Sequence, residues 1–158
     1  MGAAATLGGS AVSCSRSNAG RWRFFTPAEA LTADAVCEQI IPADQDPGAH
    51  DARVVNYIDM QLTKHFRQYR DTYRRGLATI DAISQAKHGR RFIELSFAVQ
   101  TEVLRDVQKQ AKPFFELILT HTMQGFYGDP RHGGNRDAVS FKMLSLPYPP
   151  VRGRRTSA

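Results

Sequence analysis

Residues 113–147, PFFELILTHTMQGFYGDPRHGGNRDAVSFKMLSLP, open as a helix and close as a turn. Pro113 suits a first helical position, and Phe114, Phe115, Leu117, Ile118 and Met123 recur at roughly helical spacing. The spacing predicts a helix that runs out at Gly125 and Gly128. Two turn clusters follow, Gly128-Asp129-Pro130 and Gly133-Gly134-Asn135-Arg136-Asp137. Glycine, Asn and Asp at this density fix an irregular backbone here, because aromatic and apolar residues bracket the run on both sides. The stretch contains no evident nucleophile and no metal cage, and it reads as a shaped surface.

Working back from it, every strong signal is helical. Thr26-Pro27-Ala28-Glu29 has the form of a capping box, with Leu31, Ala35, Val36 and Ile40 as the expected buried stripe and Pro42 as the stop. Asp44 to His50 reads as a loop, and Asp51 as the cap of a second helix with Val54, Ile58 and Leu62 on one face. A third helix is expected from about Tyr69 to His88, with Tyr73, Leu77, Ile80 and Ile83 inward and Gly89 as its C-terminal cap. Ser96 is the expected cap of a fourth, carrying Val99, Val103, Leu104 and Val107. No alternating strand pattern is present. The reading is an all-α, single compact domain of about five helices with a Gly-rich C-terminal turn region.

The chain has 158 residues and is 42% hydrophobic, enough for one domain with its own core. Its net charge of +6 favours an acidic partner surface, anionic lipid or nucleic acid without choosing among them. No run of about 18 apolar residues exists to span a bilayer. Cys14 and Cys37 could pair only if the N-terminus folds back onto the first helix; otherwise Cys37 packs as a small hydrophobe.

Candidate chemistry is sparse. His121 would need a partner carboxylate and a pocket to act as a general base, and its structural reading is a histidine bonded to the backbone of the turn cluster. His50, His65, His88 and His132 fall in separate segments, so no metal site is expected. Haem-attachment and phosphate-cradling signatures are missing, and no cofactor is expected in this chain. Lys64, Arg67, Arg70, Arg74 and Arg75 form a basic run, read either as a solvated helix face or as a phosphate-contacting surface. Arg136 and Asp137 are either a local ion pair that fixes the turn or, for Arg136, an anchor projecting into a partner. Asn135 beside the glycines would tolerate a left-handed backbone.

Phe-Phe-Glu-Leu on a helix, Thr-His-Thr-Met-Gln-Gly-Phe-Tyr-Gly-Asp-Pro after it, then Gly-Gly-Asn-Arg-Asp and a closing Leu-Pro resemble the small subunit (subunit 3) of gluconate 2-dehydrogenase. Phe24-Phe25-Thr26-Pro27, Ile40-Ile41-Pro42-Ala43-Asp44 and Tyr73-Arg74-Arg75-Gly76-Leu77 with Asp81 agree, so the resemblance covers about residues 24–147. It implies a non-catalytic partner of a large flavoprotein dehydrogenase subunit carrying FAD, with haem c in a cytochrome c subunit, in membrane-attached periplasmic dehydrogenases of sugars and sugar acids. Membrane association of this chain would be indirect, and nucleic acid would not be a partner. The expected partner interface is Phe126, Tyr127, Asp129, Pro130, Gly133, Gly134, Asn135, Arg136 and Asp137. The alternative function is a basic helical nucleic-acid-binding module, supported by charge but without a helix-turn-helix signature.

Residues 1–23 read as an export-signal-like or disordered N-terminus. Gly2 to Val12 are small and mildly apolar, like the back half of an export signal, but no basic leader precedes them. Members of the resembled family often begin with a twin-arginine signal, which would place the translation start upstream of Met1. Ala11-Val12-Ser13-Cys14 loosely resembles a lipoprotein cleavage box, making Cys14 a candidate for lipidation. Residues 148–158, with Arg152, Arg154 and Arg155, read as a basic flexible tail.

Overall fold

The computed structural model describes residues 22–146. The readings placed on Cys14, on the export-like segment and on the basic tail lie outside these residues. Within them the chain forms six α-helices: α1 (Pro27–Ile40), α2 (Val54–Leu62), α3 (Arg70–His88), α4 (Phe97–Gln110), α5 (Lys112–Tyr127) and α6 (Val139–Met143). Short 3-10 turns fill several of the connections, and no strand occurs among the described residues. The all-α expectation holds, with α6 as an addition to the five helices expected.

Helix α5 is the hub, packing against α1, α2, α3, α4 and α6. Its inward side is Phe114, Ile118, the adjacent pair His121 and Thr122, and the adjacent pair Gly125 and Phe126, a stripe that repeats with each turn of the helix. Val36, Ile58, Leu62, Tyr73, Ile80, Val103 and Val107 close over that stripe from the other helices. Burial of such side chains is worth about 1.5–3 kcal/mol each before entropy is charged against it.

Helix ends follow the sequence where side chains decide them. The capping box at Thr26 is complete: Thr26 Oγ1 accepts from the Glu29 N–H, and Glu29 accepts from the Thr26 N–H at 2.8 Å. Gly89 closes α3 at φ +64. Three expectations are corrected. Leu31 is 55% exposed, because α1 buries its small-residue side, Ala30, Ala33, Val36 and Cys37, which lets neighbouring helices approach closely. Asp51 does not cap α2; it accepts from the Gly48 N–H at 3.2 Å, and the residue before α2 is Arg53 at φ +53. Gly125 does not end α5, which continues to Tyr127.

One buried carboxylate, missed in the sequence, joins the entry segment to the core. Asp59 on α2 accepts from the N–H groups of Arg23 at 2.8 Å, Phe24 at 2.9 Å and Phe25 at 2.9 Å. A lone Asp in the apolar run of α2 was the available signal, since a carboxylate out of water demands donors.

Candidate partner-docking surface

The turn after α5 is built around Asn135. Its side chain is fully buried, its amide donates to the Gly128 carbonyl at 2.8 Å, and its oxygen accepts from the Ser140 N–H at 3.0 Å. One side chain therefore ties the end of α5 to the start of α6. Asn135 takes the left-handed backbone the sequence allowed, at φ +43. Gly134 has no positive φ; it is glycine because a Cβ there would lie 2.2 Å from the Gly125 carbonyl oxygen and 3.1 Å from Tyr57 Cβ. Outside the turn, the Arg136 N–H donates to the Ala52 carbonyl at 3.0 Å, pinning the segment to the loop before α2.

The expected interface residues divide by depth. Phe126, Gly134 and Asn135 are buried and carry the turn from beneath, so they do not offer contact surface. Tyr127, Arg136 and Asp137 are exposed, with Asp129, Pro130 and Gly133 half-buried. Phe126 and Tyr127 are edge-to-face at 4.9 Å, one ring inward and its neighbour outward. Arg136 Nε lies 3.4 Å from Asp137 Oδ2 with both side chains well exposed, a geometry worth little to stability. Asp129 is held to about 2 chiefly by the Arg131 guanidinium, with the Arg131 N–H adding to it.

His121 is not bonded to the turn. Its Nδ1 lies 2.9 Å from the Tyr73 hydroxyl, and its ring stacks on Phe66 at 4.0 Å and 4°. Burial without a charged partner lowers its pKa to about 4, so the imidazole is neutral near pH 7. Cys37 is likewise buried, accepts from Thr122 Oγ1 at 3.3 Å and is pushed up to about 12 by desolvation, which makes it a packed hydrophobe rather than a nucleophile. Among the described residues no group of three or more His, Cys, Asp or Glu side chains gathers around a common point.

Three of the five side chains in the basic run bond back to the fold, while Lys64 and Arg75 remain exposed. Arg67 and Arg70 donate to the Thr63 and Leu62 carbonyls at the C-terminal end of α2, at 2.8 and 2.7 Å. Arg74 pairs with Glu29, donates to the Phe24 carbonyl at 3.0 Å and sits 4.5 Å above the Phe24 ring. The net charge is distributed unevenly as well. All 15 Asp and Glu lie within residues 22–146, whereas Arg16, Arg21, Arg152, Arg154 and Arg155 lie outside. The described body thus has 16 basic against 15 acidic residues, and the positive excess belongs mostly to the ends of the sequence.

The apolar surface that the sequence did not reveal is on the hub helix. Leu119, Met123 and Tyr127, at four-residue steps on α5, are 39%, 43% and 39% exposed. Leu119 also lines a groove of about 270 Å³ with Ile40, Leu104 and Phe115, edged by Gln39, Thr101, Arg105 and Gln108. No helix among the described residues is long and apolar enough to cross a membrane.

No curated protein and no solved structure matches the chain. The family model for gluconate 2-dehydrogenase subunit 3 does, over residues 27–147, from the first residue of α1 to just past α6. That span takes in the whole helical body and the Asn135 turn, and the chain belongs to the gluconate 2-dehydrogenase subunit 3 family.

Proposed function

We propose that the chain is a non-catalytic accessory subunit of a flavin-dependent, membrane-associated sugar or sugar-acid dehydrogenase of the gluconate type. The observation that carries this reading is the family match across the entire helical body. Catalysis belongs to a large subunit holding FAD, and electrons leave through a cytochrome c subunit with haem c. The small subunit contributes a rigid surface on which the large one folds, is exported to the periplasm and assembles. A neutral buried His121, an inert Cys37 and basic side chains committed to internal carbonyls agree with a scaffold more than with a reactive centre.

The exposed members of the turn, Tyr127, Arg136 and Asp137, with the half-buried Asp129 and Pro130, form part of the contact in this proposal. Their backbone is already fixed by Asn135 and by the Arg136–Ala52 bond, so little entropy is lost on docking. A nucleic-acid module finds less support, since the described body is close to neutral and two arginines of the basic run bond to α2 carbonyls.

The test is co-expression of the tagged chain with the same organism's large gluconate-type dehydrogenase subunit. Soluble yield, flavin absorbance, dye-linked dehydrogenase activity and periplasmic recovery are then measured with and without the small subunit. The expected result is flavin and activity that follow the large subunit, with yield and export depending on this chain. Stoichiometric flavin on the isolated chain, or a large subunit indifferent to its presence, overturns the reading.

A further inference from the structure

We infer that the Leu119–Met123–Tyr127 stripe of α5 and the adjoining groove receive an apolar segment of the large subunit flanked by a carboxylate, which pairs with Arg105. The inference rests on the accessory-subunit reading and adds the location and chemistry of the contact.

Three observations combine. The first is the stripe itself: α5 packs against five helices, yet keeps three large apolar side chains in line toward solvent. Each keeps roughly two-fifths of its surface in solvent along one line of α5, although Tyr127 also packs edge-to-face on Phe126, and a row of partly exposed apolar side chains of this kind marks a candidate contact surface. Met and Tyr are also side-chain types enriched in the cores of protein interfaces.

The second is the wall of the groove. Gln39 Nε2 donates to the Phe97 carbonyl at 2.9 Å and to Gln100 at 3.0 Å, while Gln39 Oε1 accepts from Thr101 at 2.8 Å. The polar groups on that side are thus satisfied internally, and an incoming apolar side chain strips no hydrogen bond from them. The floor is Ile40, Leu104, Phe115 and Leu119.

The third is the charge at the rim. Arg105, exposed on α4, makes no ion pair among the described residues, a state it shares with the exposed Arg75 and Arg90, but of these it alone edges the groove. A guanidinium at the rim of an apolar groove is complementary to an Asp or Glu next to an apolar anchor, and its planar fork favours bidentate pairing. This favours a partner bearing a carboxylate over a purely apolar one.

The experiment uses the full chain and the co-expressed large subunit, with binding measured by titration of the purified pair. Leu119→Glu, Met123→Glu and Arg105→Glu alter exposed side chains, and thermal melts of each variant check that the fold is retained. The expected result is a loss of affinity of tenfold or more in each, with wild-type melting, and protection of α4 and α5 peptides from hydrogen exchange in the wild-type complex. Wild-type affinity in all three folded variants overturns this surface while the accessory reading stands. Absence of any complex with the wild-type chain overturns both. If sedimentation shows a dimer of this chain that Leu119→Glu dissociates, the occupant is a second copy and the inference is wrong.

Discussion

The hydroxyl of Tyr73 lies 2.9 Å from Nδ1 of His121, and the two rings stack within 8° of parallel. The Tyr73 phenol is desolvated and its pKa is raised well above the usual value, so it stays protonated and serves as the donor. His121 then carries its own proton on Nε2 and accepts at Nδ1, a neutral tautomer fixed by a neutral partner.

Burial of the neutral His121 ring makes stability fall in mild acid. The native pKa of His121 is about 4 against an ordinary value of 6.5, so between those values the unfolded chain binds a proton that the native chain refuses. The stability from the neutral ring is whole above pH 6.5, declines as pH falls and is exhausted near 4. Between pH 7 and 5 the expected loss is about 2 kcal/mol. Urea midpoints across that window check it, and His121→Phe should flatten the slope. The exposed His50–Asp34 pair acts in the opposite sense, because Asp34 raises the His50 pKa and the attraction fades as pH rises.

Asp59→Asn should loosen the entry to the fold. The carboxylate accepts three backbone N–H groups, and an amide replaces one accepting oxygen with a donor that faces N–H. A cost of about 1–3 kcal/mol is expected, with faster hydrogen exchange at Phe24 and Phe25. Unchanged exchange at those amides would remove the role assigned to Asp59.

Gly134→Ala and Gly89→Ala separate two reasons for glycine. At Gly134 the new methyl meets the Gly125 backbone, so a shift of α5 or of the turn is required and about 1–3 kcal/mol is expected. At Gly89 nothing lies within 4 Å, and the cost is only that of an L-residue at φ +64, about 1 kcal/mol. Chemical denaturation of both variants should rank Gly134 as the more damaging.

Arg136→Ala should leave the isolated chain within about 0.5 kcal/mol of wild type, since the removed ion pair is exposed and the Arg136 N–H to Ala52 bond survives. If Arg136 anchors the large subunit, assembly weakens by about 1–4 kcal/mol. Loss of melting temperature with retained binding would make it a turn brace instead.

The parts of the fold legible in the sequence are those where one side chain or one period decides the outcome. Tyr73, Leu77, Ile80 and Ile83 lie inward on α3, and Gly89 ends it, because a long amphipathic helix has only one apolar face to bury. Helix α1 defeated the same logic at Leu31, since bulk marks a core face only where neighbours leave room, and here they close on alanines. Phe126 and Tyr127 show the limit at the candidate site. Adjacent aromatics on a helix point about 100° apart, and nothing local indicates which one meets the core. The α5 stripe escaped for a related reason: Leu119 and Met123 look like core until the packing of five helices is known.

Cys37 gives the molecule an internal reporter. Its sulfur is fully buried and its thiol pKa is about 12, so a maleimide or disulfide reagent at neutral pH finds no thiolate in the closed state. In a chain carrying Cys14→Ser, labelling must therefore wait for α1 to lift from α5. The rate at low reagent reads the equilibrium of that opening, and the plateau at high reagent reads its speed. Association with a partner along α5 would slow the labelling of a residue it never touches.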